Sequence, residues 1–572
     1  MHRLDEPRVS VMTASPVPDL TVSPFDRARS RSSVARDLAI IAGWFVALSA
    51  VYWIAVSAVI GHVFFSGFPI DDAFIHLQFA RNLFEHGEMS FNPGVPSSGS
   101  TAPAFPFLLA GCFALVKNWY AAAYLLCGLC SLGTGWVVYG LLRTWTGRVE
   151  IARWGGVLTI VTFPTIVQAY AGMEAPVYSL IVLLGLWSYG HGSRMSRWVG
   201  SAVFGLTIWF RPECLILLPL IFLERLISTR RSGDRAWIIA AVKEMIPIVG
   251  VWLVYIVAYG FYHWHQDGHL VPTTFGAKAL TSIDAKPAWM DGLPAAIRRG
   301  AWFQAVFAVV GWPWINIFLI GVGLGTICLP VAFGMARTLK ALWHDDGRAA
   351  SGWRLAILIL IGYPFLRAIV DPPALIWFQN QRYFAHLTPL FILIALGALQ
   401  HTGAVVLKPW WNWRNVSFSI QRRRTIGWAL GGSLLMGTIA VLSVGNIHEM
   451  QVQMAHWLRE RTPEDRLIAT NDIGAIGFIT RRPVLDTVGL VEPKIVEHYL
   501  DGGTIDEYLV QHDPAFVVIF PTWYEAFSQR EDLLERVHAI QLDFNVVCGG
   551  SEFVAYRPRW SSAGRDTDIP LQ

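Results

Sequence analysis

Apolar residues run along most of this chain in long stretches, and the polar breaks between them carry the information. The first stretch opens near Leu38, behind a polar leader containing Arg27, Arg29, Arg31 and Arg36. At about 25 residues it is long enough to cross a bilayer, and it lies too far from the N-terminus to be a signal peptide. Further stretches fall near residues 120–142, 154–167, 176–189, 198–210, 215–226, 246–262, 314–335, 355–370, 383–407 and 426–446. The pattern predicts about eleven transmembrane helices, several of them short.

Basic residues orient them. Arg143, Arg148 and Arg153, then Arg194 and Arg197, Arg225 to Arg235, Arg337 to Arg354, and Lys408 to Arg424 all fall in loops on the side of the leader. The positive-inside rule makes that side cytoplasmic. An odd number of spans then puts the loop after the first span, residues 66–119, and everything after Asn446 outside. The expected organisation is a cytoplasmic leader (1–37), a transmembrane region (38–446) and an extracytoplasmic tail (447–572) in a multi-pass protein of the plasma (inner) membrane.

In the outer loop, "DDAFIHLQFARNLFEH" places Ala73, Phe74, Leu77, Ala80 and Phe84 on one arc of a helical wheel, with Asp71, Gln78, Asn82 and Glu85 opposite. Such a helix is expected to lie flat on the outer membrane surface. "FNPGVPSSGSTAP" then breaks it, and "AFPFLLAGCFALV" is too short to cross, reading as a second surface or re-entrant helix. The tail differs in character. "RLIAT", "PVLDTVGL", "AFVVIF" and "EFVAYRP" read as short strands, with "TIDEYLVQHD" and "WYEAFSQREDLLERVHAI" as helical stretches, so a small α/β domain is predicted.

Composition agrees with the membrane reading: 54% of the 572 residues are hydrophobic and 15% charged, outside the usual range of soluble domains. A net charge of +4 on this length gives no sign of a nucleic-acid partner. Cys127 and Cys130 have CxxC spacing but sit inside an apolar run without companion ligands, and read as packing residues. The GAIG at 474–477 lacks the spacing of a phosphate-binding fingerprint.

The adjacent carboxylates Asp71 and Asp72 stand where the chain leaves the membrane. One reading makes one of them an N-cap, with the other favouring the positive end of the helix. The other is chemical: a carboxylate beside apolar surface and a second carboxylate has its charged form disfavoured, which brings it towards a usable general base. His76, one turn on, could orient Asp72.

Taken in order, these segments resemble the GT-C superfamily of integral-membrane glycosyltransferases, in the branch of the polyprenyl-phosphate-sugar-dependent arabinofuranosyltransferases. The resemblance is carried by "DDAFIHLQFARNL", "FNPG" and "SGSTAPAFPFLLA" after the first span, "GMEAPVY", "RPE", "VPTTFGAK", "RYFAHLTPL" and "DIGAIGFITRRPVLDTVGL". "VPTTFGAK" departs from the more usual Asn-Thr form of that loop. The resemblance implies a GT-C-like fold and a sugar donor on a polyprenyl monophosphate. A glycan, lipid or protein hydroxyl would attack at the outer face, with inversion. Asp71 or Asp72 would be the base, Asp71 placed ahead. Lys278, Arg382 and Arg211 would hold the donor phosphate, and His76, Glu174, Glu213, Tyr383 and His386 would bind substrate. Glu174 could instead be a solvated turn residue, and Arg211 with Glu213 a structural ion pair. No metal or other cofactor is expected, because phosphate leaves without one. The competing class is a polytopic transporter, which predicts charges at the bilayer midplane and an inverted repeat on broken helices; the polar residues instead gather at outer span ends.

Overall fold

A computed structural model describes residues 24–61, 67–231, 236–274, 349–370, 385–402 and 418–560. The expected span at 314–335, and Lys278, Arg382 and Tyr383, lie outside the described residues. Helix α1 (Pro24–Ile60) is followed by α2 (Asp72–His86), a hairpin of β1 (Ser90–Asn92) and β2 (Val95–Pro96), and α3 (Ala104–Val116). Then come α4 (Trp119–Thr146), α5 (Val149–Val161), α6 (Phe163–Gln168), α7 (Ala175–Tyr189), α8 (Arg194–Gly205), α9 (Leu217–Arg231) and α10 (Trp237–Asp267). The bundle continues with α11 (Ala350–Val370), α12 (Leu387–Thr402) and α13 (Phe418–Ile447).

Among the described residues three helices are long and apolar enough to span a membrane by length and composition: Ser33–Ile60 within α1, α4 and α10. The stretch read as a span at 154–167 is broken into two helices. Thr162 is extended (φ −77°, ψ 137°) ahead of Phe163-Pro164, and a proline there cannot continue the preceding ladder. The stretch at 198–210 likewise passes from α8 into a 3₁₀ turn, Leu206–Trp209, before Arg211-Pro212.

Several basic residues assigned to inner loops are not solvated. Glu224 is fully buried and accepts from the Arg225 and Arg354 guanidiniums and the Tyr189 hydroxyl, while Glu244 takes Arg225 at 3.1 Å and Arg197 at 3.2 Å. These pairs tie α7, α8, α9, α10 and α11 together at one end, because charges taken from water must be partnered.

At α2 the polar arc expected to face water is covered. The apolar arc of the helix packs on the bundle and α3, but Gln78 and Asn82 on the polar arc are buried as well, and so is Arg81. Asn82 Nδ2 donates to the Ser90 and Phe91 carbonyls at 2.9 Å, Gln78 Nε2 to the Phe91 carbonyl at 2.7 Å, and Arg81 to the Phe478 carbonyl at 2.6 Å. The polar arc is an interface rather than a wet face. Gly87 ends α2 in the left-handed region (φ 74°), its N–H donating to a carbonyl of the last turn, the usual way a helix C-terminus is closed.

After a π-helical turn (His448–Val452) and α14 (Gln453–Arg461), the chain forms β3 (Ile468–Thr470), α15 (Gly474–Thr480), β4 (Val484–Asp486), α16 (Pro493–Leu500), α17 (Ile505–His512) and β5 (Phe516–Ile519), and it ends in β6 (Leu534–Gln541) and β7 (Glu552–Pro558). The sheet order is β4-β3-β5-β7-β6, with β3 parallel to β4 and β5, and β7 antiparallel to β5 and β6. Thr504 and Glu507 form a capping box on α17. One stretch departs from its helical reading: within "WYEAFSQREDLLERVHAI" only Glu525–Ser528 is α-helical, and Leu534 onward is strand. Its pairing along β7, from Leu534↔Pro558 to Gln541↔Glu552, decides the matter, and as an edge strand it tolerates Glu535, Arg536 and His538.

Candidate active site

Asp71 occupies the N-cap position of α2 in helical geometry, but its side chain makes no capping bond there. Its carboxylate crosses to the C-terminal unit, accepting the Gly474 N–H at 2.7 Å and the Ala475 N–H at 2.8 Å at the start of α15. It thus caps a helix more than four hundred residues away in sequence. A Cβ on Gly474 would stand 2.3 Å from the Asp71 carbonyl and carboxylate oxygens, so the approach requires glycine.

Asp472 stands beside them. Its carboxyl lies within hydrogen-bonding reach of Asp71 and accepts the Gln451 amide at 2.7 Å. Burial pushes the Asp71 carboxyl well above the ordinary carboxylate range, with the Asp472 and Asp72 charges adding to the rise, and burial raises Asp472 too. Asp72, in the first turn of α2, is half-buried and also acts on this pair through its charge.

The loop between β1 and α3 is stapled to the same unit. Asn92 exchanges two hydrogen bonds with the Val484 backbone at 2.8 and 2.9 Å, and Ser97 Oγ donates to the Val491 carbonyl. Asp267 at the end of α10 accepts from the Ser98 N–H at 3.0 Å and the Ser98 hydroxyl. Thr273 Oγ1 donates to the Leu490 carbonyl at 2.9 Å, which brings the start of "VPTTFGAK" to the C-terminal unit. These backbone carbonyls and N–H groups need partners once buried, and the Pro-Gly-Ser stretch supplies them.

A second group is built one turn along α2, about 6 Å further up its axis. His76 Nε2 lies 3.1 Å from Glu174 Oε2, the other oxygen of Glu174 pairs with Arg211, and Arg211 also reaches Glu213 at 3.3 Å. Glu174 is 2% exposed, so it is not a solvated turn residue. The Arg211 guanidinium stands over the Tyr178 ring, and His386 is wedged between Tyr178 and Tyr363, at 5.4 and 4.4 Å between ring centroids. His386 is fully buried, and neither ring nitrogen has a hydrogen-bond partner among the described residues.

The structure therefore gathers His76, Glu174, Arg211, Glu213 and His386 into one contiguous group, next along α2 from the acidic pair. It commits Arg211 to two carboxylates, those of Glu174 and Glu213. Within the acidic pair, Asp71 has both oxygens bound by backbone N–H groups, and Asp72 is the more exposed. Asp472, Gln451, Ser98 and Asp267 were not assigned a role from sequence. An Asp two residues ahead of a Gly-Ala helix start was the available signal for Asp472. Among the described residues no group of three or more His, Cys, Asp or Glu is arranged to hold a metal ion.

The architecture is the GT-C fold. ArnT from Cupriavidus metallidurans, solved bound to undecaprenyl phosphate, aligns with a TM-score of 0.56 and 16% identity over 90% of this chain and 97% of its own; its apo state gives 0.52. The oligosaccharyltransferase AglB from Archaeoglobus fulgidus, in complex with an inhibitory peptide and a dolichol-phosphate, aligns at 0.51 with 12% identity over 92% of this chain and 75% of its own. Identities this low show likeness of fold alone. A domain of unknown function, DUF8728, matches residues 445–566. UPF0060 membrane protein BH2744 from Halalkalibacterium halodurans is 28% identical over 97 residues, 15% of this chain and 90% of its own.

Proposed function

We propose that this protein is an inverting glycosyltransferase that moves a sugar from a polyprenyl monophosphate to a hydroxyl of a glycan, lipid or protein acceptor at the outer face of the membrane. The observation that carries the reading is the acidic start of α2, gripped between the bundle and the C-terminal unit in a fold shared with proteins solved with undecaprenyl phosphate and dolichol-phosphate. That unit stands outside the membrane in this reading, and the chain crosses about eleven times.

Asp72 is the base. It takes the proton of the acceptor hydroxyl as the oxygen attacks the anomeric carbon, and the lipid phosphate departs from the opposite face, so the configuration inverts. A single base suffices, since a phosphate monoester dianion leaves without protonation. Lys278, Arg382 and neighbouring Tyr383 supply the positive charge and hydrogen bonds for that phosphate, and the mechanism calls for no metal. His386, whose ring nitrogens have no partner among the described residues, and the Glu174–Arg211–Glu213 group offer acceptors and donors to sugar hydroxyls.

The test is full-length protein in nanodiscs given a panel of radiolabelled polyprenyl phosphosugars. Transfer with inversion that collapses in Asp72→Asn is the expected result. Consumption of donor by the wild type and Asp72→Asn at the same rate would remove the proposed base.

A further inference from the structure

Two carboxyl groups meet where the outer loop joins the C-terminal unit, and two adjacent anions in a buried place repel strongly. Asp71 already accepts N–H bonds from Gly474 and Ala475, both of which favour negative charge on it. Asp472 faces it from the residues just before α15, and the Gln451 amide, donating at 2.7 Å from the π-helical turn, leaves Asp472 one further oxygen to offer. The remaining titratable groups bearing on the pair are Asp72 from α2, and Cys548 from the loop before β7, whose thiol donates to Gln451 Oε1 at 3.4 Å and is influenced in turn by Glu449. The buried arginine nearest along α2, Arg81, turns to the Phe478 carbonyl instead.

We propose that Asp71 and Asp472 share one proton in a hydrogen bond between their carboxyls, making the pair a pH-sensitive catch that positions the loop carrying Asp71 and Asp72 on the C-terminal unit. Asp472 is thus a positioning residue: it acts on Asp72 through Asp71, by fixing the first turn of α2. The proposal rests on the transferase reading only for what the catch serves, since its geometry involves no substrate.

The sign follows from the raised carboxyl values of the docked pair. A group that binds its proton more tightly when docked gives stability that is fully present below its undocked value, near the ordinary carboxylate range, and lost as pH climbs through the docked one. Within that window docking weakens up to about tenfold per pH unit.

Hydrogen exchange of the 473–480 peptide in full-length protein in nanodiscs reads this without a donor, so failure to find transferred sugar and failure of the catch are separate results. In the wild type, protection corrected for intrinsic rate is expected to fall at least about tenfold between about pH 5 and about pH 9. Asp472→Asn keeps the donor towards Asp71 and the acceptor for Gln451 but cannot titrate, so its protection should stay high and flat. Asp71→Asn turns an N–H donor towards the Gly474 and Ala475 donors, so its protection should be low throughout. A flat wild-type profile, or an Asp472→Asn profile that falls as the wild type does, would overturn the proposal.

Discussion

Replacing Gly474 by alanine tests whether the grip on Asp71 holds the two halves of the site together. The added methyl would lie 2.3 Å from both the backbone carbonyl oxygen and a carboxylate oxygen of Asp71, and backbone cannot rotate away as a side-chain tip can. Reaching ordinary contact requires α15 and the loop to part by about 1 Å, which stretches N–H bonds of 2.7 and 2.8 Å beyond useful range. Hydrogen bonds to a charged acceptor contribute about 1.5 kcal/mol or more each, so the loss is about 3 kcal/mol. That is about a hundredfold in the docking equilibrium. The assay is limited proteolysis between the bundle and the C-terminal unit, with thermal unfolding alongside, in full-length protein. Gly250→Ala serves as control: its Cβ meets nothing within 4 Å, and the change should stay within about 1 kcal/mol of neutral. If Gly474→Ala matched this control in cleavage and unfolding temperature, the close approach of α15 to Asp71 would be wrong.

Asp72→Asn should unfold at the wild-type temperature yet lose about a hundredfold or more in transfer rate, whereas Asp71→Asn should show its first effect in docking; equal rate losses without a docking change would refute this division. Glu174→Gln leaves Arg211 and His76 short of a buried anion, and a loss of about 3 kcal/mol in unfolding free energy is expected, with an unchanged melt counting against the ion group. Lys278→Ala and Arg382→Ala should raise the donor KM more than they lower kcat, read from initial rates over a donor titration; a pure kcat effect would place both away from ground-state phosphate.

The sequence alone determined what local chemistry can determine. Uninterrupted apolar runs required a membrane bundle, because buried backbone in lipid must be satisfied within helices. Proline and glycine punctuation in "FNPGVPSSGSTAP" forbade a helix there, and the apolar β-branched and aromatic residues of "AFVVIF" and "EFVAYRP" matched β5 and β7. The polar residues of the candidate site were legible as types out of place, and five of them, His76, Glu174, Arg211, Glu213 and His386, lie together. Their partnerships were not legible, because a wheel diagram cannot tell a polar arc facing water from one facing buried carbonyls. Gln78 and Asn82 are polar for the second reason. Nor could adjacent aspartates be told apart in sequence. Tertiary structure separated them by bringing the start of α15 to within a hydrogen bond of Asp71 and leaving Asp72 more open. The same contact chose glycine at 474, and pairing with β7 made a strand of Leu534–Gln541. Each of these outcomes depends on groups hundreds of residues apart or on a neighbouring strand, and local propensities of about a few tenths of a kcal/mol per residue yield to them.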